Sequence, residues 1–265
     1  MSDEPKRLTS IADALRAAND KLKASGISQA SREAKSLLAF VLDKNQTFLI
    51  AHPEYALSAA EEKRFLDSIV RRAHHEPFQY IIGRQEFYGL DFAVTKDVLI
   101  PRPETELIVE AAIEILQANG NSKFCEVGIG SGCIAVSILY HAKTASAVGL
   151  DISENALQVA KKNAETHLVA ERLELKISNV FDNIEREKFD LIVSNPPYIP
   201  LADIKTLQAE VRDFEPITAL TDGRNGLSIV EKIIGDAPKF LKGNGSLLME
   251  IGFDQSKRVG EMFDR

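Results

Sequence analysis

The sequence predicts an α/β protein: a mostly parallel sheet covered by helices on both faces, preceded by a small helical bundle and joined to it by a β-hairpin. Three observations predict it. Up to about residue 76 the apolar residues recur only at helical spacing. From residue 78 to 100 the composition turns aromatic and β-branched, with turn signals at Gly83, Gly89 and Lys96-Asp97. From residue 101 onward short β-branched runs alternate with helical stretches, the pattern of a parallel sheet with crossover helices. The chain therefore divides into a helical domain over 1–76, a hairpin linker over 77–100 and an α/β domain over 101–265.

In the first part, Ile11, Leu15, Ala18 and Leu22 mark one helix that Gly26 can stop. Ala34, Leu37, Leu38 and Val41 mark a second, with Ser31 as its N-cap. Residues 47–51 suit a short third. Ser58 and Glu61 have capping-box spacing, and Phe65, Ile69 and Ala73 carry that helix on until Pro77 stops it. In the linker, residues 87–88 and 92–94 read as the two hairpin strands. Pro103 suits the first turn of a helix running to Gly120. Strands are then expected at 124–127, 146–150, 173–177, 189–193 and 246–250. Helices are expected at 134–141, 154–167 and 227–241, with Pro238 distorting the end of the last, and again near 255–263.

Composition narrows the function classes. The 265 residues are 45% hydrophobic and 27% charged, with a net charge of -7. That balance disfavours non-specific grip on nucleic acid, which needs clustered Lys and Arg, so no direct nucleic-acid partner is expected. No apolar run is long enough to span a bilayer, and residues 1–7 lead into no signal-peptide core. A cytoplasmic protein without a membrane partner is expected. Cys125 and Cys133 offer no disulfide framework and read as small buried side chains. The five histidines show no metal-ligand spacing, so no metal is expected.

Two motifs carry the chemistry. Gly128-Ile129-Gly130-Ser131-Gly132 falls between a predicted strand and a predicted helix. Glycines there let backbone approach a ligand closely, and the helix start adds unpaired N–H groups and positive potential. The next strand leads to Asp151, whose carboxylate can accept from both hydroxyls of a ribose. The spacing is G-x-G-x-G rather than the G-x-G-x-x-G of dinucleotide sites. It suits a nucleoside cofactor without a pyrophosphate, S-adenosyl-L-methionine, with Asn179 and Val180 beside the adenine.

Asn195-Pro196-Pro197-Tyr198 follows the fourth strand of the sheet. Two prolines stiffen the loop and remove donors, so it presents acceptors. The Asn195 oxygen and the Pro196 carbonyl can each take one hydrogen of a substrate NH2, while Tyr198 packs on its flat face. An amide nitrogen is a poor nucleophile because its lone pair is delocalised. Holding both hydrogens aims that lone pair and favours the positive charge that grows on nitrogen. The two motifs together point to methyl transfer onto an amide or amino nitrogen.

These motifs, with Ile100-Pro101-Arg102-Pro103-Glu104-Thr105-Glu106, Phe214-Glu215-Pro216 and Ala219-Leu220, resemble the bacterial protein-(glutamine-N5) methyltransferases that act on peptide chain release factors. The resemblance covers nearly the whole chain. It implies a Rossmann-like S-adenosylmethionine-dependent domain in which residues 128–132, Asp151, Asn179, Val180 and Asn195 meet the cofactor. It implies that residues 195–198 hold the glutamine of a Gly-Gly-Gln loop, and that the helical N-terminal part docks the release factor. Glu126 stands where Asp is commoner, and Asn179 where an acid is frequent. The family closes its sheet with a further strand pair after the helix near 255–263. The sequence ends at Arg265, so a sheet short of those strands is expected. A ribosomal-protein glutamine would need the same chemistry. A DNA or RNA adenine N6 amine could also use such a loop, but the acidic balance argues against it.

Overall fold

The computed structural model describes residues 9–118, 122–185 and 187–264. The chain forms two compact units, the first ending at Ile82 and the second beginning at Gly83. The segment expected as a linker is thus divided. Its first residues form a short helix of unit one, and the hairpin belongs to unit two.

Unit one contains α1 (Ile11–Ala24), α2 (Ala30–Leu42), α3 (Gln46–Ala51), α4 (Ala59–Ala73) and α5 (Phe78–Ile82). The Ser10 hydroxyl accepts the Asp13 N–H to cap α1, and Ser58 with Glu61 closes a full capping box on α4. The predicted cap Ser31 instead lies inside α2, whose N-cap position is Gln29. Pro77 does not end α4, which stops at Ala73. It opens α5, its carbonyl accepting the Tyr80 and Ile81 N–H groups. Ile11, Leu22, Leu37, Leu38, Leu57, Phe65 and Ile69 form the core. Buried Arg72 pairs with Glu33 across α2 and α4.

Unit two opens with a hairpin, β1 (Arg84–Phe87) and β2 (Leu90–Ala93), in antiparallel register. Tyr88 and Gly89 make the turn, both with positive φ, the twist a two-residue hairpin needs. Tyr88, expected at a strand end, is therefore a turn residue. One 3-10 turn, Pro103–Thr105, leads into α6 (Glu106–Ala118). The expected helix end at Gly120 lies outside the described residues.

There follow β3 (Lys123–Val127), α7 (Cys133–His141), β4 (Ser146–Asp151), α8 (Glu154–Thr166), β5 (Leu173–Ile177) and β6 (Phe189–Ser194). Next come α9 (Ala209–Phe214), α10 (Ile217–Leu220), α11 (Ser228–Asp236), β7 (Leu241–Met249) and α12 (Ser256–Phe263). The strand order is β5-β4-β3-β6-β7, and every pair is parallel. Alternate residues face opposite layers. Phe124, Leu191 and Val193 pack under α6, α7 and α8, whereas Cys125, Val148 and Ile192 pack with Ile233 of α11. Among the described residues no helix is long and apolar enough to cross a membrane.

The hairpin strands begin at Arg84 and Leu90 rather than at 87 and 92, and two boundaries moved near the end of the sheet. The last long helix stops at Asp236, where Pro238 takes the chain into a 3-10 turn, and β7 begins at Leu241 rather than at 246. Gly243-Asn244-Gly245 has the composition of a turn but lies inside β7. A Cβ on Gly245 would lie 2.9 Å from the Phe189 carbonyl, beside the register shift between β6 and β7. Close strand approach, not a turn, requires glycine there.

The order reverses between β3 and β6. The crossovers on either side diverge there, leaving a crevice at the carboxyl edge. Register pairs Val127 with both Leu150 and Ser194, so Gly128 and Asn195 leave the sheet side by side. Asn163 of α8 fastens the crevice wall. Its Oδ1 accepts the Ala93 N–H at 2.8 Å, and its Nδ2 donates to the carbonyls of Ala93 and Ser131.

Candidate active site

A cavity of about 300 Å³ occupies this crevice. Of the residues expected to bind cofactor or substrate, Gly128, Ile129, Gly130, Ser131, Asp151, Asn179, Val180, Asn195 and Pro197 line it. Gly132, Pro196 and Tyr198 do not. Gly132 is the N-cap of α7 at φ +79, and a Cβ there would stand 3.2 Å from Ala160 Cβ. Its glycine serves helix packing.

The glycine loop departs from expectation in its donors. Gly128 and Ile129 N–H both go to the Leu150 carbonyl, Gly132 N–H to Ile129, and Gly130 N–H to Asp151 Oδ2 at 2.9 Å. These amides are committed within the protein rather than offered to a ligand. What the loop offers is room: at Gly128 and Gly130, both with positive φ, a Cβ would meet nothing within 4 Å. The charges agree. Among the described residues, Asp97, Asp151 and Asp222 line the cavity, together with the buried carboxyl of Glu126, against one cation, Arg102, which pairs with Glu215. An acidic lining with few free amides suits a cationic ligand and opposes a phosphate-bearing one.

Asp151 is held by two N–H donors, Gly130 on Oδ2 and Ser153 on Oδ1. Burial raises its carboxyl above the ordinary value while the Ser153, Gly130 and Ile152 amides pull it back. Glu126 is buried to 1% exposure, and its Oε2 accepts the Ala135 N–H at 2.8 Å. Burial drives its carboxyl well above the usual range, the Ala135 bond opposes this, and the Asp151 charge adds to the rise. A raised pKa means that the folded state binds the proton more tightly than the unfolded one. Its contribution to stability is complete below the unfolded carboxylate pKa and is lost as pH rises through the folded value. Glu126→Gln should therefore raise the melting temperature of the cofactor-free protein by a few degrees near neutral pH, with the gain vanishing at acidic pH. A melting series against pH checks this, and a gain that grows on acidification would contradict it.

Val180 sits at φ +58, a conformation β-branched residues rarely adopt. The Ser178 hydroxyl, which donates to the Val180 carbonyl at 2.9 Å and accepts from Asn183 N–H, holds it there. The Asn179 carbonyl accepts from Lys232. Cys125 is buried and Cys133 partly so; burial raises both thiols, Cys133 to about 12, so neither is a ready nucleophile.

Asn195 lies at the end of β6 with its Nδ2 donating to Thr105 Oγ1 at 3.0 Å. The Thr105 hydroxyl donates in turn to Glu250 Oε2 at 2.7 Å, and the Tyr198 hydroxyl donates to Glu250 Oε1 at 3.1 Å. Burial, then the Glu250 charge, raises the Tyr198 phenol to about 12, so it stays a donor. Sequence reasoning gave no role to Glu250 and used Thr105 only as part of a motif. Their separations of 145 and 90 residues carry no local signal.

Two known patterns match the chain: that described as the PrmC N-terminal domain over residues 13–83, and that described as the methyltransferase small domain over 105–210. The release factor glutamine methyltransferase of Geobacter sulfurreducens is 41% identical over 240 residues, covering 91% of this chain and 83% of that one. The chain belongs to the release factor glutamine methyltransferase family.

The member from Clostridium acetobutylicum is 39% identical over 256 residues, covering 96% of this chain and 90% of its own length. The bifunctional methyltransferase of Rickettsia typhi is 38% identical, but this chain spans only 52% of it. In structure, the hMettl16 catalytic domain crystallised in complex with a 3′UTR hairpin matches 86% of the chain at a TM-score of 0.56 and 16% identity, a likeness of fold alone. The fold is that of the Rossmann-like methyltransferases. The family's cofactor is S-adenosyl-L-methionine, and the residues present fit it: a cationic, phosphate-free nucleoside matches the acidic cavity and the open glycine cradle.

Proposed function

We propose that this chain methylates the side-chain amide nitrogen (N5) of the glutamine in the Gly-Gly-Gln motif of peptide chain release factors. The observation that carries the reading is Asn195, at the cavity wall beside the glycine loop, with its NH2 end tied to Thr105 and its oxygen left for a ligand. When bound, S-adenosyl-L-methionine supplies an electrophilic methyl group. Asp151 would accept from its ribose, Glu126 would face its positive end, and Asn179 and Val180 would flank its base.

Asn195 Oδ1 and the Pro196 carbonyl would each accept one N–H of the glutamine amide, with Pro197 and Tyr198 limiting its tilt. Both acceptors strengthen as positive charge grows on that nitrogen. Fixing the amide in one attitude contributes several kcal/mol through lost rotational freedom alone. The amide nitrogen would form its bond to the methyl carbon as that carbon's bond to the cofactor's sulfur breaks, leaving S-adenosylhomocysteine, and the nitrogen would then lose one proton, by then acidic, along the same two acceptors to water. No strong base is needed.

Unit one would dock the protein substrate; its match to the PrmC N-terminal domain supports this. The test is incubation with labelled S-adenosyl-L-methionine and separate release factor, ribosomal protein, DNA and Gly-Gly-Gln peptide, with mass mapping of the product. Label on the release factor glutamine, faster than on the peptide, is the expected result. Label on adenine or on another protein would overturn the substrate assignment. Equal rates on peptide and protein would remove unit one from recognition.

A further inference from the structure

Asn195 carries an amide whose two ends are nearly identical in shape and opposite in function. The oxygen end can grip a substrate N–H; the NH2 end would repel it. Something must choose between them. We infer that Thr105 and Glu250 are positioning residues that make this choice, through a one-way chain of hydrogen bonds. The inference rests on the reading that Asn195 holds the substrate amide.

The direction follows from proton counting. An ionised carboxylate accepts and cannot donate. Glu250 therefore takes the single hydroxyl proton of Thr105 on Oε2. With that proton spent, the Thr105 oxygen can offer Asn195 only lone pairs, so Asn195 must present Nδ2, as it does at 3.0 Å. Turning the amide over would set two acceptor oxygens against each other at a residue that is 2% exposed, where no solvent relieves the contact. The second oxygen of Glu250 accepts from Tyr198, so one carboxylate orients two side chains of the same loop. Glu250 is itself fixed to β6, because its N–H donates to the Ser194 carbonyl at 3.0 Å, one residue before Asn195. Thr105 comes from the turn before α6, Asn195 from the end of β6 and Glu250 from the end of β7, and none of the three can drift independently.

The test compares Thr105→Val, which keeps the shape and removes the hydroxyl, with Thr105→Ser, which keeps the hydroxyl. Turnover, KM for the release factor and cofactor Kd are read for each. Thr105→Val should lower kcat by about 10²-fold, the usual result of a misaligned reacting group, with cofactor Kd unchanged and with Thr105→Ser restoring most of the loss. In an Asn195→Ala background the valine should cost nothing more, because a residue acting only through Asn195 has nothing left to position. Losses that multiply in the double variant, or wild-type turnover in Thr105→Val beside an inactive Asn195→Ala, would overturn the inference while leaving the function intact. Full activity in Asn195→Ala would remove the reading of Asn195 and the inference with it. Should Thr105→Val fail to fold, Glu250→Leu reads the same chain. Without the carboxylate the Thr105 hydroxyl keeps its proton and can donate to Asn195 Oδ1, which frees the amide to turn over, so kcat should fall about tenfold or more, the worth of one hydrogen bond. Unchanged turnover there would equally overturn it.

Discussion

Asn195→Ala should lower methyl transfer to release factor by about 10²–10³-fold, the usual cost of removing one preorganised group that meets charge in the transition state. The loss should fall on kcat. Two features separate it from cofactor binding. The acidic side chains that would meet the cofactor, Glu126 and Asp151, lie beside the glycine loop at the ends of β3 and β4, whereas Asn195 directly follows β6. Each is also fixed by its own backbone partner, Ala135 for Glu126, and Gly130 and Ser153 for Asp151, with no bond to Asn195. Truncating Asn195 leaves those bonds in place and deprives only Thr105 of a donor. Single-turnover rates with labelled cofactor, set beside calorimetric binding of S-adenosylhomocysteine, measure the two effects apart. A large rise in Kd with little change in the single-turnover rate would make Asn195 a cofactor residue and leave the amide without its grip.

The residues that fill this site were unevenly legible. The sheet could be read because its central strands, β3, β4 and β6, are short, largely apolar runs buried along most of their length, and helix periodicity is unmistakable over thirteen residues, as in α6 and α8. The elements missed, α5, α9, α10 and the 3-10 turn Leu201–Thr206, are each six residues or fewer. Two turns are too short for a period to declare itself. Within the site, Gly128, Gly130, Asp151 and Asn195 were legible because their chemistry is local: a strand end, a turn, an acid at the next strand end. The donors of the glycine loop were misjudged because the acceptors that absorb them, Leu150 and Asp151, lie on the neighbouring strand, and only strand register brings them there. The same holds for Glu215, which joins Arg102 and the Ile100 N–H across more than a hundred residues. Sequence shows which groups can do chemistry. The partners that commit those groups come from tertiary pairing.

Gly226→Ala should be nearly as damaging as the loss of Asn195, though residue 226 carries no chemistry. Its φ is +77, and a Cβ there would lie 2.0 Å from the Tyr198 carbonyl oxygen and 2.7 Å from its carbon. Both are backbone atoms, so no rotamer relieves the overlap; either Tyr198 or the 222–228 loop must shift. That loop cannot yield cheaply. Asp222 accepts the N–H groups of Arg224, Gly226 and Ser228 as well as the Ser228 hydroxyl, and these bonds hold its carboxyl at about 2. Gln255, 5% exposed, donates to the Tyr198 carbonyl and ties the loop to the start of α12. The displacement therefore passes to Pro197 and Tyr198 and on to the carbonyl and side chain that would hold the substrate. A shift of about 1 Å there costs on the order of 10²-fold in kcat, with cofactor Kd changed far less. Gly223→Ala supplies the control. Its φ is +75, so it bears the same torsional penalty, of roughly 1–2 kcal/mol, but a Cβ there would meet nothing within 4 Å. Loss of turnover in Gly226→Ala with near-normal turnover in Gly223→Ala would place the effect in the contact with Tyr198. Equal losses in both would assign it to backbone strain and detach the 226 position from the geometry of the substrate loop.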